Sequence, residues 1–195
     1  MDITTYMRID GISNIYFKAQ YINRASVKAF DKIEGKYTDK EVSFIEINPQ
    51  IERDMVVLED LGYSWRNGEY TDAIIELAED MAAGYDYVYK DKIYALIDQS
   101  ENFMEPNPDK ILGLAHVSER GNNSIKLNFL QVKPSIVYRD WGKFKLVGHA
   151  LSECLKGLYD SITLHSAAQK SVKEFYLRNG YIPEEEHQLV FHWKK

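Results

Sequence analysis

Two short stretches in the C-terminal half carry residues that could do chemistry together. The first is Arg139-Asp140-Trp141-Gly142-Lys143-Phe144, with Lys133 and Pro134 upstream and Lys145 behind it. Arg-x-x-Gly opening onto a helix is suited to hold an anion. The first N–H groups of a helix have no intrahelical acceptors, and the macrodipole is positive at that end. Lys133, Lys143 and Lys145 would add charge near a phosphate. The second stretch, Phe175-Tyr176-Leu177-Arg178-Asn179-Gly180-Tyr181, closes a later strand-to-helix unit.

The elements that must position these stretches can be read from periodicity. Residues 111–117 form a strand, Gly121-Asn122-Asn123 a turn, and residues 125–132 the returning strand of a hairpin. A helix over 142–158 follows, with Val147, Leu151, Cys154, Leu155 and Leu158 recurring at three and four residues. Then come a strand over 161–165, a helix over 168–179 with Val172 and Phe175 inward, and a last strand over 188–193. In the N-terminal half, Ile15, Ala19, Ile22, Val27 and Phe30 predict a helix over 14–34, ended by Gly35. A strand over 42–47 stops at Asn48-Pro49, and a short helix over 50–61 ends at Gly62. Residues 63–70 read as a loop with an Asn67-Gly68 turn. Thr71 caps a helix through Ala83, striped with Ile74, Ile75, Leu77, Ala78 and Met81, with Gly84 at C′. A strand over 93–97 and a loop over 101–109 follow. A meander feeding strand–helix–strand units implies a mixed α/β sheet.

A chain of 195 residues is one large domain, or a core with an elaborated half, and can bury a substantial core. Its 45% hydrophobic and 28% charged residues are ordinary for a soluble protein. No apolar run approaches the roughly 20 residues that span a bilayer, and Met1-Asp2-Ile3-Thr4-Thr5 does not begin a signal peptide. One cysteine, Cys154, excludes an internal disulfide and a Cys-cluster metal site. The expectation is a cytoplasmic protein with no membrane association. The net charge of −6 is unevenly spread. Residues 1–100 hold 11 Lys and Arg against 19 Asp and Glu, whereas residues 101–195 hold 13 against 11. An acidic half beside a neutral-to-basic half suits a cationic substrate on one side and a polyanionic cofactor on the other, although a solvated acidic surface gives the same counts. The acidity argues against nucleic-acid binding, which needs a basic face.

The order of strand, anion-binding loop, helix, strand, and helix ending in Tyr and Gly resembles the core of the GNAT N-acetyltransferases. The resemblance covers residues 71–195 and is strongest over 125–181. It implies the GNAT α/β fold, a mixed and largely antiparallel sheet with helices on both faces. The whole chain would be one such domain, with residues 1–70 a divergent N-terminal elaboration that supplies a substrate wall. It also implies an activity: transfer of acetyl from acetyl-CoA to an amine by direct attack in a ternary complex. In that family the loop reads Gln/Arg-x-x-Gly-x-Gly/Ala, its small residues letting the backbone approach the CoA pyrophosphate. Arg139 and Gly142 fit, Phe144 occupies the second small position, and Trp141 crowds the loop. Two readings stay open. Either Phe144 turns into the core and Arg139 with the backbone of Asp140, Trp141, Gly142, Lys143 and Phe144 holds the pyrophosphate, or the loop is plugged. A plugged loop would make the protein a non-catalytic binding module on the same fold. A further alternative is transfer of another acyl group.

By the same resemblance, the backbone from Leu130 to Val132 hydrogen-bonds the pantetheine arm, and the strand over 161–165 splays away to leave a cleft for it. The N–H of Val132 would polarise the thioester carbonyl, Tyr176 would protonate the CoA thiolate, and Gln169 would contact the arm where the family often has Asn. Acceptors compatible with the acidic half are polyamines, aminoglycosides or protein amines, and such proteins often form homodimers. His116, Glu119 and His149 are the candidates for a general base, directly or through water. No metal is expected: His187 and His192 with Glu184, Glu185 and Glu186 match no ligand spacing, and a carboxylate run is usually a solvated turn. Cys154 lies on its helix's apolar stripe and reads as core. Tyr85, Tyr87, Tyr89 and Tyr94 either line a cleft or cover a sheet edge.

Overall fold

The structure, a computed structural model, describes residues 19–49, 51–65, 71–84, 91–99, 106–134 and 143–195. Its order is β1 (Gln20–Asp31), β2 (Lys36–Ile47), α1 (Glu52–Ser64), α2 (Thr71–Ala82), β3 (Asp91–Ile97), β4 (Ile111–Gly121) and β5 (Ser124–Val132). Then follow β6 (Phe144–Lys145), α3 (Val147–Leu158), β7 (Ser161–His165), α4 (Lys170–Arg178), β8 (Ile182–Pro183) and β9 (Val190–Lys194). The nine described strands form one sheet in the order β6-β1-β2-β3-β4-β5-β7-β9-β8. Every pairing is antiparallel except β5 with β7.

Successive strand residues face opposite sides, so the central strands must be apolar throughout to bury both. In β3, Tyr94 and Leu96 join the core under α3, while Ile93, Ala95 and Ile97 join the core under α1. The first core takes Val147, Ala150, Leu151, Cys154 and Leu155 from α3, and the second takes Val57, Leu58 and Leu61 from α1 and Ala78 from α2. Helices therefore cover both faces. Cys154 is buried in the first core, and burial pushes its thiol up to about 12, the state of an unreactive core cysteine. Tyr94 is also a core residue, its hydroxyl 2.6 Å from that of Tyr159; Tyr85, Tyr87 and Tyr89 lie outside the described residues.

The structure corrects four expectations. The segment read as a helix over 14–34 is strand β1 from Gln20 onward; residues 14–18 lie outside the described residues. Its stretch Arg24-Ala25-Ser26-Val27 alternates exposed and inward residues, and its outer face pairs across to β2 through Arg24–Glu41 and Lys28–Asp39. Gly62 does not end α1, which runs to Ser64. A Cβ at Gly62 would lie 2.3 Å from Ile75 Cδ1, so the glycine lets α2 approach. The helix over 142–158 starts only at Val147, because Phe144 and Lys145 pair with Ala29 and Lys28 and Leu146 adopts φ +64 at the N-cap. The last strand begins at Val190 rather than at 188. Gly84 takes φ +75 just past α2, and Asn122 and Asn123 turn the β4–β5 hairpin with positive φ, as their residue types predict.

Candidate functional site

The site is built where β5 parts from β7. Their parallel pairing runs from Ser124↔Ser161 to Leu127↔Leu164 and stops. At the same point β5 carries a bulge against β4: His116 pairs with Phe129 and Val117 with Leu127, leaving Asn128 unopposed. A bulge bends its strand and increases local twist. Beyond Asn128, β5 stays with β4 and leaves β7, and a V-shaped cleft opens. Burial follows: Ile125 and Leu127 are buried, whereas Asn128, Phe129 and Leu130 are only half-buried.

The backbone of this open edge is available for bonding. The N–H of Lys133 donates to Leu112 O at 2.9 Å, toward β4. Successive N–H groups alternate in direction along a strand, so those of Val132 and Leu130 face the cleft. A cavity of about 510 Å³ fills the V. Leu130 and Val132 line one wall; Gln169, Val172, Phe175 and Tyr176 line the other. Val172 and Phe175, read as inward, therefore face the cavity wall and are half-buried. Gln169 is the N-cap of α4, without a side-chain cap bond. Tyr176 is held edge-on by Phe175 at 5.1 Å and Tyr181 at 5.5 Å. Tyr181 is itself anchored to Ser152 at 3.1 Å, with its hydroxyl pushed up to about 12 by burial.

A second cavity, about 410 Å³, adjoins the first and shares Val132, Gly148 and Phe175 with it. It surrounds the first turn of α3, whose Val147, Gly148 and His149 N–H groups have no acceptor within the helix. A Cβ at Gly148 would lie 3.2 Å from Phe175 Cε2 and 3.4 Å from Val132 Cγ2, at the junction of the cavities. In a second register of the pattern Gln/Arg-x-x-Gly-x-Gly/Ala, Lys143, Leu146 and Gly148 stand at the three named positions, and of these Gly148 alone carries the named residue type. Leu146, at φ +64, holds the left-handed conformation that favours glycine. Sequence reading missed Gly148 because it set the helix start five residues too early.

Arg139, Asp140, Trp141 and Gly142 lie outside the described residues. Phe144 packs half-buried against the α3-side core, flanked by Lys40 at 5.4 Å and Lys143 at 5.5 Å over its ring, and lines the second cavity. Lys145 sits 3.9 Å over the Tyr37 ring, and Lys133 donates to Asp109 O at 2.8 Å.

The candidate bases are dispersed. His149 lines the second cavity and bonds Asn179 Oδ1 through Nδ1 at 2.6 Å; the Asn179 amide donates to Phe175 O, so His149 is the donor. Glu119 pairs with Lys92 at 3.1 Å. His116 is buried, and burial lowers its pKa despite the Asp91 carboxylate 3.2 Å from Nε2. Among the described residues, no group of three or more His, Cys, Asp or Glu is placed to hold a metal, and no helix is long and apolar enough to cross a membrane.

No protein-family model and no curated protein matches this sequence. Solved structures do. A GNAT-family protein from Desulfovibrio desulfuricans matches 78% of this chain and 98% of its own at 14% identity and a TM-score of 0.51. A Bacillus subtilis acetyltransferase in complex with CoA matches 70% and 92% at 13% identity, TM-score 0.43. The Salmonella typhimurium acetyltransferase that modifies the N-terminal serine of ribosomal protein L7/L12 matches 79% and 95% at 8% identity, TM-score 0.46. The sheet order, the parting strands and the first of these likenesses define the class: this chain has the GNAT fold.

Proposed function

We propose that this protein is an N-acetyltransferase that moves an acetyl group from acetyl-CoA to an amine. The observation that carries this reading is the row of two adjoining cavities, one at the first turn of α3 and one in the V between β5 and β7, which share Val132, Gly148 and Phe175. That path suits a long thioester with an anionic end. The free N–H groups at the start of α3 and the side chain of Lys143, together with Arg139 and the backbone of residues 140–144, hold the pyrophosphate. The outward N–H groups of Leu130 and Val132 take the pantetheine arm as an added strand would, with Gln169 across from them. The N–H of Val132 polarises the thioester carbonyl, and Tyr176 protonates the departing thiolate. The acceptor amine attacks directly as its free base and gives up a proton to water as the amide forms, and the acidic N-terminal half favours an acceptor that is cationic in solution.

Calorimetry with acetyl-CoA and with CoA tests the reading. Micromolar binding, weakened in Gly148→Val and Arg139→Ala, is the expected result. Absence of binding at millimolar cofactor in the unmutated protein would instead support a plugged loop and a non-catalytic module.

A further inference from the structure

Beneath the point of the V lies a polar cluster that the cofactor path does not use. Asp91, at the start of β3, accepts a hydrogen bond from Ser118 Oγ and lies 3.2 Å from His116 Nε2. Their side chains are buried, 7% exposed for Asp91 and 5% for His116. Asn128 Nδ2 donates to Ser118 Oγ at 2.6 Å and lies 3.4 Å from His116 Nε2. The orientation of the Asn128 amide follows from the cluster. The single hydroxyl hydrogen of Ser118 goes to Asp91, so the atom facing Ser118 Oγ must be a donor. Asn128 Oδ1 is then the polar atom left over, and it has no hydrogen-bond partner among the described residues.

Asn128 is also the bulge residue at which the cleft opens, and it lines the cavity. Four residues of extended strand, about 13 Å, separate it from Val132 at the cofactor entrance. A thioester arm laid along Val132 and Leu130 brings its reacting end toward Asn128. The described residues lining this cavity include no carboxylate and no Lys or Arg. Among the described residues, the buried carboxylate that hydrogen bonds connect to it is Asp91, one bond behind Ser118 and two behind Asn128.

We propose that Asn128 Oδ1 is the docking point for the nitrogen of the acceptor, a primary amine or ammonium group, and that Ser118 and Asp91 are positioning residues that aim it. The proposal rests on the acetyl-transfer reading for its role but not for its detection. An amide oxygen whose NH2 is already held is preorganised to accept an N–H, and the negative charge behind it favours a cation over a neutral hydroxyl. His116 completes the cluster, its Nε2 lying against the same oxygen, Asp91 Oδ1, that accepts from Ser118 Oγ.

The test is a titration with methylammonium as the simplest such amine, followed through the Asn128 side-chain amide by NMR, in CoA-free and CoA-saturated protein. Saturable shifts at that amide are expected in the intact protein, with methanol giving none. In Asn128→Ala the affinity, read at neighbouring backbone amides, falls about tenfold, the loss of one hydrogen bond to a charged group. Asn128→Asp keeps an oxygen there but cannot donate to Ser118. If Oδ1 docks the amine, Asn128→Asp retains methylammonium affinity while Asn128→Ala shows the roughly tenfold loss. If the residue only braces the cluster, both variants lose stability and neither changes methylammonium affinity, and the proposal is overturned. Equal shifts with methanol overturn it too. Failure of CoA to shift any resonance, with methylammonium still binding, removes the acetyl-transfer reading and leaves the amine site.

Discussion

The two halves of β5 differ in pairing and in burial. From Ser124 to Leu127 the strand is paired on both edges and its apolar side chains are buried. Asn128 is unopposed, and from Phe129 to Val132 the strand is paired on one edge, half-buried or exposed except at Gln131, and borders two cavities. One extra residue in the ladder separates them. A closed sheet gives stability, whereas a sheet opened by a bulge leaves backbone donors for a ligand. The same strand therefore forms core along one half and an open edge along the other.

This contrast can be broken in several ways. The largest effect is expected at the open half's partner helix. Tyr176→Phe should reduce acetyl transfer by about 10²–10⁴-fold while leaving acetyl-CoA binding intact, as kinetics alongside calorimetry would show; an unchanged rate would remove Tyr176 from the mechanism. In the closed half, Leu127→Ala should cost about 2–5 kcal/mol of stability in denaturant unfolding. Leu130→Ala, in the open half, should cost clearly less, and equal costs would mean that the two halves do not differ as described. Gly148→Val should weaken acetyl-CoA binding at least about tenfold, with a smaller change in melting temperature, because its side chain enters the junction of the cavities.

Two smaller effects sharpen the picture. Leu146→Gly should stabilise by about 1 kcal/mol by relieving the left-handed backbone, offset in part by glycine's greater unfolded-state entropy. His116 has a folded-state pKa below its ordinary 6.5, so the unfolded chain binds the proton more readily. Its neutral form contributes stability that is fully present above pH 6.5 and is lost as pH falls through the lowered value, at no more than about 1.4 kcal/mol per pH unit. His116→Gln should flatten that part of the stability–pH curve. A curve unchanged by the substitution would mean that His116 does not titrate in folding.

Much of the fold was legible in residue order. The apolar run of β3, the striped helix α3 and the asparagine turn after Gly121 each have a local physical signature, and the structure places elements at all three. β1 was misread because Ile22, Val27 and Phe30 also fit a helical stripe, and only pairing with β2 selects the alternating reading. The start of α3 was misread because Phe144 and Lys145 are drawn into the sheet by Ala29 and Lys28, partners more than a hundred residues away in sequence.

At the site, the sequence alone was enough to mark the strand ending in Val132, the helix bearing Tyr176 and the basic stretch around Lys143, because strand pattern, helix stripe and charge are local properties. Tertiary structure decided the rest. The bulge at Asn128 exists only as a mismatch between two strands, and the cleft only as the loss of pairing between β5 and β7. The close packing at Gly148 comes from Phe175 and Val132 against it, and the cluster of Asp91, His116, Ser118 and Asn128 comes from three strands laid side by side. Contacts between residues far apart in the chain leave no periodic mark on it, so they become visible only when the sheet is assembled.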